Sequence, residues 1–150
     1  MTTEISNLKT NSGLTDEAFN QIVQFYRVWD INDASIVDDI CNPDWQDIPL
    51  APGQPQGPEG LKSLIRFFNE TFPDIEIKIL DIFGSADRVA VRGEMVFTHN
   101  QAFLGIPPSD RKVHIPIFEI HHLRDGKITH TWHLEDWFAL LLQSGVWKQG

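Results

Sequence analysis

The apolar residues change period partway along the chain, and that change decides what it can fold into. Up to Phe72 they recur at helical spacing; beyond Pro73 they alternate. Phe19, Ile22, Val23, Tyr26 and Trp29 predict a helix opened by Thr15, a capping residue type, with Asp16 and Glu17 where the helix dipole favours acids. A shorter helix is predicted from Asn32–Asp33; it carries Ile36, Val37 and Ile40 and is stopped by Pro43. Leu61, Leu64, Ile65 and Phe68 mark a third, begun at Pro58 and finished before Pro73. Between these two, residues 43–58 hold Pro43, Pro49, Pro52, Pro55 and Pro58 with Gly53 and Gly57, and read as a long irregular rim. Residues 1–13 lack periodicity and read as a flexible arm before one domain, 14–150.

After Pro73, Ile75, Ile77 and Ile79 alternate with polar residues, and Ile82–Phe83 leads to a turn at Gly84–Ser85. Arg88–His99 and Arg111–Leu123 read as long strands, and a last strand runs to about Glu135. Asp125–Gly126 between two alternating runs predicts a tight hairpin, because both residues tolerate positive φ. A terminal helix, Trp137 to Leu142, is closed by Gly145. Helices first and antiparallel strands after give an α+β class, helices laid on one face of a curved sheet.

A formal charge of −9 leaves no basic face for phosphates, so nucleic acid is excluded as a partner and an anionic membrane surface is disfavoured. Cys41, the single cysteine, forms no internal disulfide. The N-terminus lacks a signal-peptide pattern, and no apolar run approaches the ~20 residues that span a bilayer. These features point to a soluble, cytoplasmic protein.

The chain has no Gly-rich phosphate loop, no Cys-x-x-Cys, no His-Glu-x-x-His and no Gly-x-Ser-x-Gly. What stands out is a polar cluster across the hairpin: Glu119, His121 and His122, then His130, His133, Glu135 and Asp136. A regular two-residue turn pairs His121 with His130, His122 with Thr129 and Phe118 with His133. His122, Thr129, Thr131 and His133 then share one face, and His121, His130 and Trp132 the other; a bulge would change the assignment. Polar cross-strand pairs on an exposed face are the alternative. Glu119, His121 and His130 could in principle hold zinc, but they lack the three or four convergent ligands at known spacing that zinc requires, so no metal site is assigned. Asp136 reads either as the N-cap of the last helix or as an acid at a cavity mouth, where desolvation raises its pKa.

Phe72-Pro-Asp74, Asp87-Arg-Val-Ala-Val-Arg92, Thr98-His99, Phe103-Leu-Gly-Ile-Pro-Pro-Ser109, Asp125-Gly-Lys-Ile128 and Trp132-His-Leu-Glu-Asp136 occur in this order, with weaker matches at Trp29, Asn32–Asp33 and Gly57-Pro-Glu-Gly60. On these segments the chain resembles the SnoaL-like polyketide cyclases, or ester cyclases, of the nuclear transport factor 2-like superfamily. The resemblance implies a cone: a bent antiparallel sheet wrapped round three helices, with an apolar pocket between them and a short C-terminal helix. It implies cofactor-independent acid–base catalysis of an intramolecular aldol condensation on a polyketide ester. Its Trp-x-x-x-Asp motif maps onto Trp132 and Asp136, with Asp136 as acid/base. A residue before the Asp-Gly hairpin maps onto His122, the donor to the enolate oxygen.

Trp29, Trp45, Phe68, Phe97 and Phe118 are candidate walls for an apolar or aromatic small-molecule ligand, and Asp47, Arg92, Trp132 and His133 are further candidate contacts. Gln101 and Asp110 stand where the family commonly has glycine, and Asp47 where it often has histidine, which opens the question of substrate. A non-catalytic ligand-binding or dimerisation module and a hydrolase or dehydratase are the alternatives on the same fold. An apolar outer sheet face predicts a homodimer or a higher homo-oligomer.

Overall fold

The computed structural model describes residues 13–148. The expected N-terminal arm therefore lies, apart from Gly13, outside the described residues. Helix α1 (Asp16–Ile31) starts where expected: the Thr15 hydroxyl accepts the Ala18 N–H at 3.2 Å. It buries Ile22, Phe25, Tyr26, Val28 and Trp29, and ends at Asn32 in the left-handed region. Helix α2 (Ile36–Ile40) has five residues, starts later than the expected Asn32–Asp33 and stops before Pro43 is reached.

Strand β1 (Cys41–Ile48) follows at once, where an irregular rim was expected. It lies at the sheet edge, parallel to the last strand, so it needs ladder bonds on one side only; Pro43, which lacks an N–H, is tolerated there. The irregular segment is therefore shorter, 49–57, and ends where Pro58 opens helix α3 (Pro58–Thr71). Gly60 is required by the close approach of this loop: a Cβ there would lie 1.8 Å from the Pro55 carbonyl oxygen.

Strands β2 (Glu76–Gly84), β3 (Arg88–Thr98), β4 (Lys112–Arg124) and β5 (Lys127–Glu135) are joined antiparallel, and helix α4 (Trp137–Ser144) closes the described chain. Sheet order is β1-β5-β4-β3-β2. Asp125 and Gly126 both adopt positive φ, 52° and 73°, as the tight hairpin requires. The result is a curved open α+β sheet with α1 and α3 on its inner face. Along β4 that face carries Val113, Ile115 and Ile117, all essentially unexposed, and each such burial contributes roughly 1.5–3 kcal/mol. No helix among the described residues is long and apolar enough to cross a membrane.

Candidate active site

Between the helices and the sheet lies a cavity of about 350 Å³. Phe25 and Trp29 of α1, Leu64 and Phe68 of α3, Met95 of β3 and Phe103 give it an apolar wall. Tyr26, Asp47, Glu119, His133 and Glu135 interrupt that wall on one side.

The hairpin register puts them there. Arg124 pairs with Lys127 and Leu123 with Ile128, as a regular turn requires, but His122 then pairs with His130, so Thr129 is an extra residue. The Thr129 hydroxyl donates to the His122 carbonyl at 3.2 Å and ties the bulge. Every later pair moves by one: His121 opposes Thr131, and Glu119 opposes His133. Glu119, His121, Thr131 and His133 consequently share the inner face, while His122, His130 and Trp132 share the outer. Expected pairings of His121 with His130 and Phe118 with His133 are corrected accordingly.

His133 is clamped. Its Nδ1 donates to Glu135 Oε1 at 2.7 Å, and its Nε2 faces the Pro49 carbonyl at 2.7 Å and Asp47 Oδ1 at 3.2 Å. With acceptors at both nitrogens the ring is an imidazolium. Burial opposes that charge, but the hydrogen bonds and charges of Asp47 and Glu135 override it and raise the pKa to about 11. Asp47 is itself held, its Oδ2 accepting from Gln54 Nε2 at 2.7 Å.

Glu119 is set differently. Burial pushes its carboxyl up to about 7, against the opposing pull of a 2.5 Å hydrogen bond from the Tyr26 hydroxyl to Oε2. Glu135 and Asp47 raise it further and His133 lowers it. Behind Tyr26 sits His121, unexposed, its Nε2 2.7 Å from the Tyr26 oxygen. Burial, helped by the charge of His133, pushes the His121 pKa down to about 3, so this imidazole is neutral. The site thus holds a carboxyl that gains and loses a proton near neutrality, beside a fixed cation, in an apolar hollow. That is the equipment for acid–base chemistry at carbon.

Of the expected ligand contacts, Trp29, Phe68, Asp47 and His133 line the cavity. Trp45 and Phe97 are core residues, Trp45 against Phe25 and Phe97 against Phe72. Phe118, Arg92 and Trp132 lie on the opposite face of the sheet. His122 is there too, 4.5 Å between ring centroids from Trp132, as the unbroken alternation of β4 dictates. Asp136 is exposed and caps α4, accepting the Ala139 N–H at 3.3 Å. Its neighbours Glu135 and Trp137 line the cavity, so Asp136 stands at the rim and not in the wall. The hollow expected behind its carboxylate lies behind Glu119 and Glu135.

Tyr26, Glu119 and Glu135 were not among the expected site residues. Glu119 and His121 did carry a signal: they are the polar members of an otherwise apolar alternation, Val113, Ile115, Ile117 and Leu123, on one face of β4. Tyr26 carried none, being one more apolar-stripe position of α1.

The model of the SnoaL-like polyketide cyclase family matches residues 20–144. A candidate polyketide cyclase from Bacillus cereus has a solved structure 32% identical to this chain, covering 88% of it and 83% of its own length, with a TM-score of 0.75. IdmH, a candidate polyketide cyclase from Streptomyces antibioticus, is 27% identical over 87% of this chain and 99% of its own, TM-score 0.76. AclR, a candidate hydroxylase from Streptomyces galilaeus, shares the fold at 22% identity, covering 87% of this chain and 85% of its own, TM-score 0.71. No curated protein matches the chain.

Proposed function

The chain belongs to the SnoaL-like polyketide cyclase family, and from that premise we propose that it cyclises a carbonyl-rich, polyketide-ester-like molecule by acid–base catalysis of the intramolecular aldol type, using its own side chains. The observation that carries this reading is the placement of Glu119 opposite His133 at the wall of the apolar cavity. In this mechanism Glu119 removes a proton from a carbon between two carbonyls, breaking the C–H bond. The enolate carbon attacks a second carbonyl of the same molecule and forms the new C–C bond. Glu119 returns its proton to the resulting alkoxide, so nothing is consumed.

His133 remains protonated throughout and stabilises the negative charge that moves from carboxylate to enolate to alkoxide. Its Asp47 and Glu135 partners keep it charged; they also make the site repel anions. An ester, with its carboxyl masked, suits this cavity better than the free acid. The apolar side chains of Trp29, Phe68 and Phe103 suit a flat, poorly hydrated body. Exchange of the α-hydrogen of a β-keto ester for deuterium tests the reading. The exchange rate is expected to rise with pH through about 7, where Glu119 ionises. A rate independent of pH through that region contradicts it.

We further propose a cytoplasmic homodimer. The outer sheet face exposes Phe83, Phe118, Ile120, Trp132 and Leu134 side by side, and a second copy would cover them. On this reading Arg92 and His122 belong to the subunit contact and not to substrate binding.

A further inference from the structure

One chain of hydrogen bonds runs from the core to the cavity. Trp45 Nε1 donates to Thr131 Oγ1 at 3.1 Å; Thr131 Oγ1 lies 2.9 Å from His121 Nδ1; His121 Nε2 lies 2.7 Å from the Tyr26 oxygen; and the Tyr26 hydroxyl reaches Glu119 Oε2 at 2.5 Å. Trp45 and His121 are fully buried and touch neither solvent nor cavity.

Only one direction of donation uses every proton. The indole N–H is a donor and nothing else, so Thr131 accepts from Trp45. Among the described residues the Thr131 hydroxyl has no partner besides Trp45 and His121, so its own proton must go to His121 Nδ1. A neutral imidazole that accepts at Nδ1 carries its hydrogen on Nε2, and therefore donates to the Tyr26 oxygen. Tyr26 then has one place for its proton, Glu119 Oε2. Run the other way, with hydrogen on His121 Nδ1, the Thr131 hydroxyl proton is left buried with no acceptor, which costs about as much as a lost hydrogen bond.

We infer that His121 is a positioning residue: fixed as the Nε2–H tautomer by Trp45 and Thr131, it turns the Tyr26 hydroxyl onto Glu119 Oε2 and leaves Oε1 as the proton-accepting atom toward the cavity. The inference rests on Glu119 being the base, but the tautomer it requires is a property of the resting protein. Neither Trp45 nor His121 touches the ligand; both act through Tyr26. The titratable groups facing Glu119 are Tyr26 from α1, His121 on its own strand, His133 and Glu135 from β5, and Asp47 from β1.

The test is nitrogen NMR of the intact protein labelled with ¹⁵N-histidine, joined to kinetics of the β-keto ester exchange. Wild type is expected to show a histidine that stays neutral from about pH 5 to about pH 8 with its hydrogen on Nε2, assigned to His121 by its loss in His121→Asn. Thr131→Val removes the hydroxyl that fixes the tautomer. The His121 Nδ1 resonance is then expected to move to the position of a nitrogen that accepts no hydrogen bond, and the acid limb of the exchange profile to move up by about one pH unit, a roughly tenfold loss below it. Thr131→Ser, which keeps the hydroxyl, restores both. A wild-type His121 that is charged or carries its hydrogen on Nδ1 overturns the inference, whether or not Thr131→Val folds. So does a Thr131→Val protein with an unchanged His121 spectrum. An Nε2–H tautomer with no exchange activity leaves the relay standing and removes the Glu119 reading instead.

Discussion

Glu119 and His133 stand directly opposite each other on β4 and β5, and they do so only because Thr129 is an extra residue in the hairpin. Without it, His133 would oppose Phe118 and the inner face would carry a different set of side chains. A one-residue bulge thereby builds the site: it brings a carboxyl that titrates near 7 to the same wall as an imidazolium. It also sends His130 and Trp132 to the far side of the sheet, where the alternation of β4 already places His122.

The His133 clamp predicts a specific alkaline weakness. Its folded pKa, about 11, lies above its ordinary 6.5, so the stabilisation is fully present below 6.5 and is lost as pH rises toward 11. Between about pH 7, where Glu119 titrates, and pH 9, the ordinary value of the Cys41 thiol, His133 dominates the proton difference between folded and unfolded chains. The melting temperature of wild type should fall across that window and that of His133→Gln should stay nearly level. A level wild-type curve contradicts the clamp.

Gly93 on β3 has a backbone reason to be glycine. The register shift between Ile79 and Asp81 leaves the Lys78 carbonyl oxygen 2.5 Å from where a Cβ would sit. Gly93→Ala should cost about 1–3 kcal/mol in urea unfolding, the range for forcing an extra carbon into a packed site. An unchanged midpoint would show that the two strands do not approach this closely.

The outer sheet face predicts the state of association. Leu134 is 71% exposed beside Phe118, which is 60% exposed, and a lysine among such residues cannot be buried against a second copy without a partner charge. Sedimentation should find wild type as a dimer and Leu134→Lys as a monomer. A monomeric wild type contradicts the proposed dimer.

Much of the fold was legible in the sequence. Periodicity located α1 and α3, Asp125–Gly126 located the hairpin, and the helix-then-strand order gave the class. Strand β1 was hidden because its pattern is read through Pro43 and Pro49, and because its partner, β5, is about 85 residues away in sequence and parallel. Site geometry was hidden for a sharper reason. The run Lys127-Ile-Thr-His-Thr-Trp-His133 offers histidine in both registers, and the outer face of β4 is itself apolar at Phe118 and Ile120. On β5 alternation therefore does not distinguish inside from outside, and a single bulge reverses the answer. The motif aspartate, Asp136, marked the right end of the right strand but one residue past the wall.

The most direct test separates these two carboxylates. α-Deuterium exchange of a β-keto ester should be measured at about pH 8 for wild type, Glu119→Gln and Asp136→Asn, with melting temperatures alongside. The geometry predicts a loss of about 100-fold or more in Glu119→Gln, typical of a removed general base, with exchange retained in Asp136→Asn. Retained exchange in a folded Glu119→Gln, with loss in Asp136→Asn, would contradict it and return the chemistry to the rim.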